Sequence, residues 1–141
     1  GGLDAAGLHN QLAPIGGELA DNGIRVSLVI EANERQLEAA QRLRAPVVEF
    51  HTGGYAHAGL DGDAEREARE LERIAAMSRL AREMGIEPHA GHGLTYENVK
   101  PVAAIRELAE LNIGHYLVGE AVFVGLEAAV RRMRGLMDEA R

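Results

Sequence analysis

The run IRVSLVIEANERQLEAAQRLRAPVVEFH (residues 24–51) decides the fold. Its first seven residues, Ile24 to Ile30, are short, β-branched and apolar, which reads as a strand buried on both faces or nearly so. Asn33 then supplies an N-cap, Leu37, Ala40 and Leu43 give the inner face of a helix, and Pro46 forbids its continuation. Pro46 to His51 is a second strand. Strand, helix and strand in close succession, with no hairpin turn of the Asn-Gly kind, make a parallel crossover unit.

The pattern continues on both sides. Upstream, Leu8, Leu12, Ile15 and Leu19 predict an amphipathic helix from Asp4 to Asn22, weakened in the middle by Pro14 and Gly16-Gly17 and stopped at Asn22-Gly23. Downstream, Thr52 to Gly62 (TGGYAHAGLDG) has loop chemistry and Asp63 caps a long helix to Met84, closed by Gly85. Ile86 to Ala90 is a third, poorer strand, in which Pro88 is tolerated only where its missing N–H is not needed. Gly91-His92-Gly93 is a turn, Thr95 caps a helix through Leu108, and Leu111 to His115 is a fourth strand, with His115 to Val118 as the alternative frame. A last helix from Tyr116 to Arg141 has a glycine joint at Gly125. One helix followed by four β–α units is half of an eight-stranded β/α barrel, whose complete form takes about 250 residues. The competing architecture is a small doubly wound sheet, but no glycine-rich dinucleotide fingerprint follows any strand.

The composition fits one globular core: 141 residues, 46% hydrophobic and 26% charged. A formal charge of −7 argues against nucleic acid or an anionic membrane as partner. There is no cysteine, hence neither disulfide nor thiolate chemistry, and no apolar run of the roughly 20 residues that span a bilayer. A soluble, cytoplasmic protein is expected. The chain opens Gly1-Gly2-Leu3-Asp4 without an initiator Met, as a segment of a longer chain would.

Three places carry candidate chemistry. In the second strand the two-residue period sets Val47, Glu49 and His51 on one face and Val48 and Phe50 on the other. In a barrel the first set points inward, and a carboxylate there is costly unless a ligand or cation answers it. Pairing with an arginine, or exposure on an edge strand, are the structural alternatives for Glu49. The second place is His89-Ala-Gly-His-Gly-Leu-Thr95, at the strand end where parallel α/β proteins hold their ligands. Its glycines let the backbone approach a ligand, a following helix N-terminus favours an anion, and His92 is of the residue type whose unperturbed pKa near neutrality suits general acid–base work. A solvated histidine in a glycine-rich connector is the plain alternative. The third is Asn112-Ile-Gly-His115, which repeats the Gly-His pair at the next strand end, as strands that grip a phosphate do. A metal site built from His89, His92, His115 and Glu49 is a rival, although nothing in their spacing makes them converge.

Gly-Gly-Leu-Asp (1–4), Val-Glu-Phe-His-Thr-Gly (48–53) with Tyr55, Ala-Gly-His-Gly-Leu-Thr-Tyr (90–96) with Asn98-Val99, and Leu-Asn-Ile-Gly-His (111–115) together resemble the pyridoxine 5'-phosphate synthase family. The resemblance runs from Gly1 to Arg141 and covers the second half of a family member, strands five to eight of a TIM-type (β/α)8 barrel. It implies closure of the pyridine ring of vitamin B6 from 3-amino-2-oxopropyl phosphate and 1-deoxy-D-xylulose 5-phosphate, with release of phosphate and water and no metal or organic cofactor. It also implies His92 as proton donor, Glu49 as stabiliser of charged intermediates, and Gly93, Gly114 and His115 as binders of the aminooxopropyl phosphate.

Family members carry further bases and binding residues in a first half that has no counterpart in this sequence. The chain alone is therefore expected to be inactive, with the missing half supplied elsewhere and a homo-oligomer as the assembly the resemblance suggests. Two other readings stay open. One is a non-catalytic half-barrel that binds a phosphorylated metabolite. The other is a different sugar-phosphate enzyme, for which the sole lysine, Lys100, sits inside a predicted helix, away from any strand end.

Overall fold

The computed structural model describes all residues, 1–141. Its centre is one four-stranded parallel sheet in sequential order, β1 (Ser27–Ile30), β2 (Val47–His51), β3 (Glu87–Gly91) and β4 (Glu110–Asn112). Register aligns Val29, Glu49, His89 and Glu110 in one row and His51, Gly91 and Asn112 two residues further on, on the same face. Between the strands lie α2 (Glu34–Arg42), α3 (Gly53–Leu60), α4 (Ala64–Glu83) and α5 (Val99–Ala103); α1 (His9–Asp21) precedes the sheet, and α6 (His115–Val124) and α7 (Leu126–Glu139) follow it.

The two long inner helices start where the side chains say they should. Asn33 accepts a hydrogen bond from the Gln36 amide at 3.0 Å to cap α2, and Asp63 does the same for Arg66 at 3.0 Å to cap α4. Gly85, at φ +76°, turns the chain off α4 and into β3. Val48 and Phe50 are buried with Leu37, Ile74 and Leu94 in the layer between sheet and helices. Pro88 sits within β3 because its carbonyl accepts from Ala109 N at 2.9 Å, just before β4 begins. A residue's N and C=O point to the same neighbouring strand, so the proline nitrogen faces a level at which β4 offers no acceptor.

The opposite face of the sheet has no layer over it. Val29 is 39% exposed, so β1 is packed on one face rather than on both, and Ile24, expected within it, lies outside the strand at the surface. Helix α1 starts only at His9, runs through Pro14 and buries no residue, and Ile15 on its apolar stripe is 57% exposed. Along α6 and α7, Val118, Val122, Phe123, Leu126 and Val130 are exposed, Phe123 to 85%. The accessible surface of 8080 Å² exceeds the roughly 7,100 Å² that a compact monomer of this mass shows. No helix is long and apolar enough to cross a membrane.

Four further expected elements change. Gly53–Leu60 is a helix, not part of a loop: Tyr55, Ala56 and Ala58 are buried against the sheet and α4, and packing overrides the poor helix propensity of three glycines. The helix expected from Thr95 to Leu108 shrinks to Val99–Ala103, because Thr95 to Asn98 form a hydrogen-bonded turn instead. The fourth strand is Glu110–Asn112: it shares Leu111 and Asn112 with the first frame but ends before Ile113, and His115 is already helical, which removes the alternative frame. The last helix is two, broken at Gly125, whose φ of +84° only glycine adopts at low cost.

Candidate functional site

The ends of β2, β3 and β4 and the start of α6 enclose a cavity of about 420 Å³, lined by Glu49, His92, Gly93, Leu94, Thr95, Asn112, Ile113, Gly114, His115 and Tyr116. All five residues singled out in the sequence, Glu49, His92, Gly93, Gly114 and His115, lie on this one wall. His92 and His115 therefore open onto the same space.

Glu49 projects from an interior strand on the uncovered face of the sheet. Its partner is no arginine: the Asn112 side-chain amide donates to Oε2 at 2.7 Å. Burial pushes the carboxyl above its ordinary range, while the Asn112 hydrogen bond and the neighbouring His89 and His92 hold it down and Glu110 adds to the rise. A carboxylate that is desolvated yet unpaired by any cation is poised to answer positive charge on a ligand.

His92 sits in the bend after β3 with φ +84°, a left-handed conformation uncommon outside glycine, and Gly93 follows at +79°. What holds this backbone is Thr52, buried at the end of β2. Its hydroxyl lies 2.7 Å from the Gly91 carbonyl and 2.5 Å from that of His92, and its amide donates to Gly91 O at 2.7 Å. Beyond the bend, Asn98 accepts from Thr95 N at 2.7 Å and donates to Gly93 O at 3.1 Å, and its own carbonyl accepts from the Tyr55 hydroxyl at 2.8 Å. The N–H groups next to Gly93 belong to this turn, since α5 begins six residues later.

The helix start that does face the cavity is that of α6. Gly114 occupies its N-cap position, and the first amide to bond back is Val118 N to Gly114 O at 3.0 Å. The amides of His115, Tyr116 and Leu117 are left for a ligand, with the positive end of the helix dipole behind them. A Cβ on Gly114 would meet nothing within 4 Å, so the approach to the backbone is open. Tyr116 closes this side, edge-on to Tyr96 at 4.9 Å between ring centres; Arg132 covers the Tyr96 ring at 4.2 Å, and Tyr96 donates to Ala129 O at 3.1 Å.

His89 does not line the cavity. It is buried in β3 with Nε2 2.8 Å from Glu87 and Nδ1 3.8 Å from Glu110, and no three His, Asp or Glu side chains of the chain come together as a cation would need. Lys100 pairs with Glu139 outside the cavity. The sequence reading missed Asn112, Thr52, Asn98 and His51 as site-building residues; each acts on a partner at least 39 positions away except Asn98. Their one local signal was membership in the motifs that carry the family resemblance.

The model of the family described as Pyridoxal phosphate biosynthesis protein PdxJ matches residues 1–139. Proteins named pyridoxine 5'-phosphate synthase are similar to the whole chain. That of Zymomonas mobilis is 58% identical over 141 residues, which are 100% of this chain and 54% of the relative. That of Rhodospirillum rubrum is 57% identical over 140 residues, 99% of this chain and 55% of the relative. For Bradyrhizobium diazoefficiens the identity is 52%, over 100% of this chain and 56% of the relative. The chain thus spans about half the length of the curated relatives it matches.

Proposed function

The chain belongs to the family described as Pyridoxal phosphate biosynthesis protein PdxJ, and from that premise we propose that it forms strands five to eight, the second half, of a pyridoxine 5'-phosphate synthase barrel. The uncovered sheet face, the unpaired edge of β4 and the large accessible surface support a missing complementary half. With that half in place the protein is a cytoplasmic, transferase-class enzyme that condenses 3-amino-2-oxopropyl phosphate with 1-deoxy-D-xylulose 5-phosphate, releasing phosphate and water. Alone it is inactive. Its assembly is a homo-oligomer.

The observation that carries this reading is the single cavity shared by Glu49, His92, Gly93, Gly114 and His115. The phosphate of the aminooxopropyl substrate rests on the amides opening α6 and on the glycine backbones at 93 and 114, with His115 beside it. Glu49, desolvated and steadied by Asn112, stabilises the positive charge that develops on substrate nitrogen during condensation. His92, held between two glycines, reaches over the same space and donates the proton that a departing oxygen needs. With Lys100 outside the cavity, this half offers no amine for a Schiff-base aldolase.

The test is reconstitution. The chain is mixed with, or fused to, the first half of the Zymomonas mobilis relative, and pyridoxine 5'-phosphate is followed by its absorbance after chromatography. Product from the pair and none from the chain alone is expected, with His92→Asn and Glu49→Gln each lowering kcat by about 10²- to 10⁴-fold. A folded pair without turnover, or full activity in both variants, would overturn the assignment.

A further inference from the structure

We propose that His51 is a positioning residue for His92, its ring packing against the His92 ring and holding that imidazole over the cavity. The inference deepens the proposed role of His92 as proton donor and rests on it. The two ring centres are 4.5 Å apart with planes tilted by 33°. His51 stands two residues beyond Glu49 on the same face of β2, while His92 hangs from a bend between Gly91 and Gly93. Thr52 fixes the main chain of that bend but not the ring. The ring contact falls to His51.

His51 is itself firmly seated. Its side chain is 13% exposed, and Nδ1 lies 3.4 Å from Glu31 Oε1. Glu31 is in turn 3.7 Å from the Arg73 guanidinium of α4 and accepts from Gly2 N at 3.3 Å. On the other side the ring rests on the backbone of Gly53, where any Cβ would stand 2.4 Å from Cε1 and 3.1 Å from Nε2. Glycine at 53 is therefore what leaves room for the ring.

Burial, more than any charge nearby, favours the uncharged form of this support. Burial lowers the His51 pKa most, the His92 ring lowers it further, Glu31 opposes both, and the Gly1 amino group and His57 of α3 add to the decrease.

Histidine-selective NMR on the 141-residue chain tests the packing without relying on turnover. In the wild-type chain the His92 Cε1–H resonance is expected to be displaced by the ring current of His51 and to show a second inflection with pH where His51 takes its proton. His51→Phe should keep the displacement and lose the second inflection, and His51→Ala should lose both. Gly53→Ala, which keeps His51 but pushes its ring aside, should reduce the displacement. In the reconstituted barrel His51→Ala should lower kcat about tenfold or more while KM holds, since misplacing a reacting group by an ångström costs up to about a hundredfold, and His51→Phe should restore most of the loss. A His92 resonance and titration curve unchanged across wild type, His51→Phe and Gly53→Ala would overturn the proposal. The expected NMR changes in a barrel that makes no product would leave the packing in place and sink the synthase reading instead.

Discussion

Glu49 and Asn112 meet across an intervening strand. The Asn112 amide reaches Glu49 Oε2 at 2.7 Å although one residue is on β2 and the other on β4. Between them lies Gly91 of β3, where a Cβ would stand 2.4 Å from Glu49 Oε1 and 2.7 Å from Asn112 O. The glycine is the window through which the carboxylate finds its only hydrogen-bonding side chain.

Gly91→Ala should close that window. The methyl meets a backbone carbonyl as well as a side chain, so rotation of Glu49 alone does not relieve it. Overpacking of this kind costs about 1–3 kcal/mol, to be read from urea unfolding of the chain. In the reconstituted barrel the same variant should behave like Glu49→Gln in kcat. Unchanged stability and turnover would show that the window is not needed.

Asn112→Ala should change how stability depends on pH. Burial raises the Glu49 pKa and the Asn112 hydrogen bond restrains the rise. The folded chain therefore binds the Glu49 proton more tightly than the unfolded chain. That contribution is fully present below the unfolded pKa of about 4.3 and is lost as pH rises through the higher folded value. Removing Asn112 leaves burial less opposed and moves the upper edge of this window upward. Urea unfolding from pH 4 to 7 should show the variant losing stability over a wider and higher range than wild type, and carbon-13 NMR of the Glu49 carboxyl should titrate later. An earlier titration would refute the role given to Asn112.

These relationships mark how far the sequence could be read. The caps Asn33 and Asp63 were legible because a side chain bonding three residues ahead is a local event. So was the alternation of β2, where Val48 and Phe50 face the helices and Glu49 and His51 the other way. Helix α3 was illegible because Gly53, Gly54 and Gly59 deny it any intrinsic preference, and burial of Tyr55 and Ala58 alone selects it. The end of β4 was misplaced for a related reason. Its three residues are defined by pairing with His89, Ala90 and Gly91, which apolar Ile113 does not share. Val29 and Ile15 are exposed although apolar, because no element of the chain packs over them, and no local pattern encodes that. Within the candidate site, the groups with chemistry stood out by type. Thr52 and Asn112 did not, since a hydroxyl or an amide acquires its role only from the distant backbone or carboxylate it meets.

At His92 the cost of the left-handed backbone can be separated from that of the side chain. His92→Ala and His92→Gly both delete the ring and its contact with His51, but only alanine keeps a Cβ at φ +84°. The glycine variant should be more stable than the alanine variant by about 1 kcal/mol, measured by denaturant unfolding under identical conditions. Both should be equally unable to donate the proton. Equal stability would mean that the bend relaxes once the ring is gone and that Thr52 does not impose it.

The apolar face on α6 gives the last expectation, because it bears on what completes the molecule. Val122 and Phe123 are 79% and 85% exposed and cannot be adding to the chain's own core. Changing either to Glu should leave unfolding of the isolated chain within about 0.5 kcal/mol, as surface substitutions do. If the complementary half of the barrel packs on this face, a carboxylate there meets a desolvation cost only on assembly. The variants should therefore bind the first half more weakly, seen as a higher midpoint in a titration followed by light scattering, and recover turnover once saturated with it. A weakened isolated chain would place these side chains in a core that the structure does not contain, and undiminished assembly would assign the patch to some other contact.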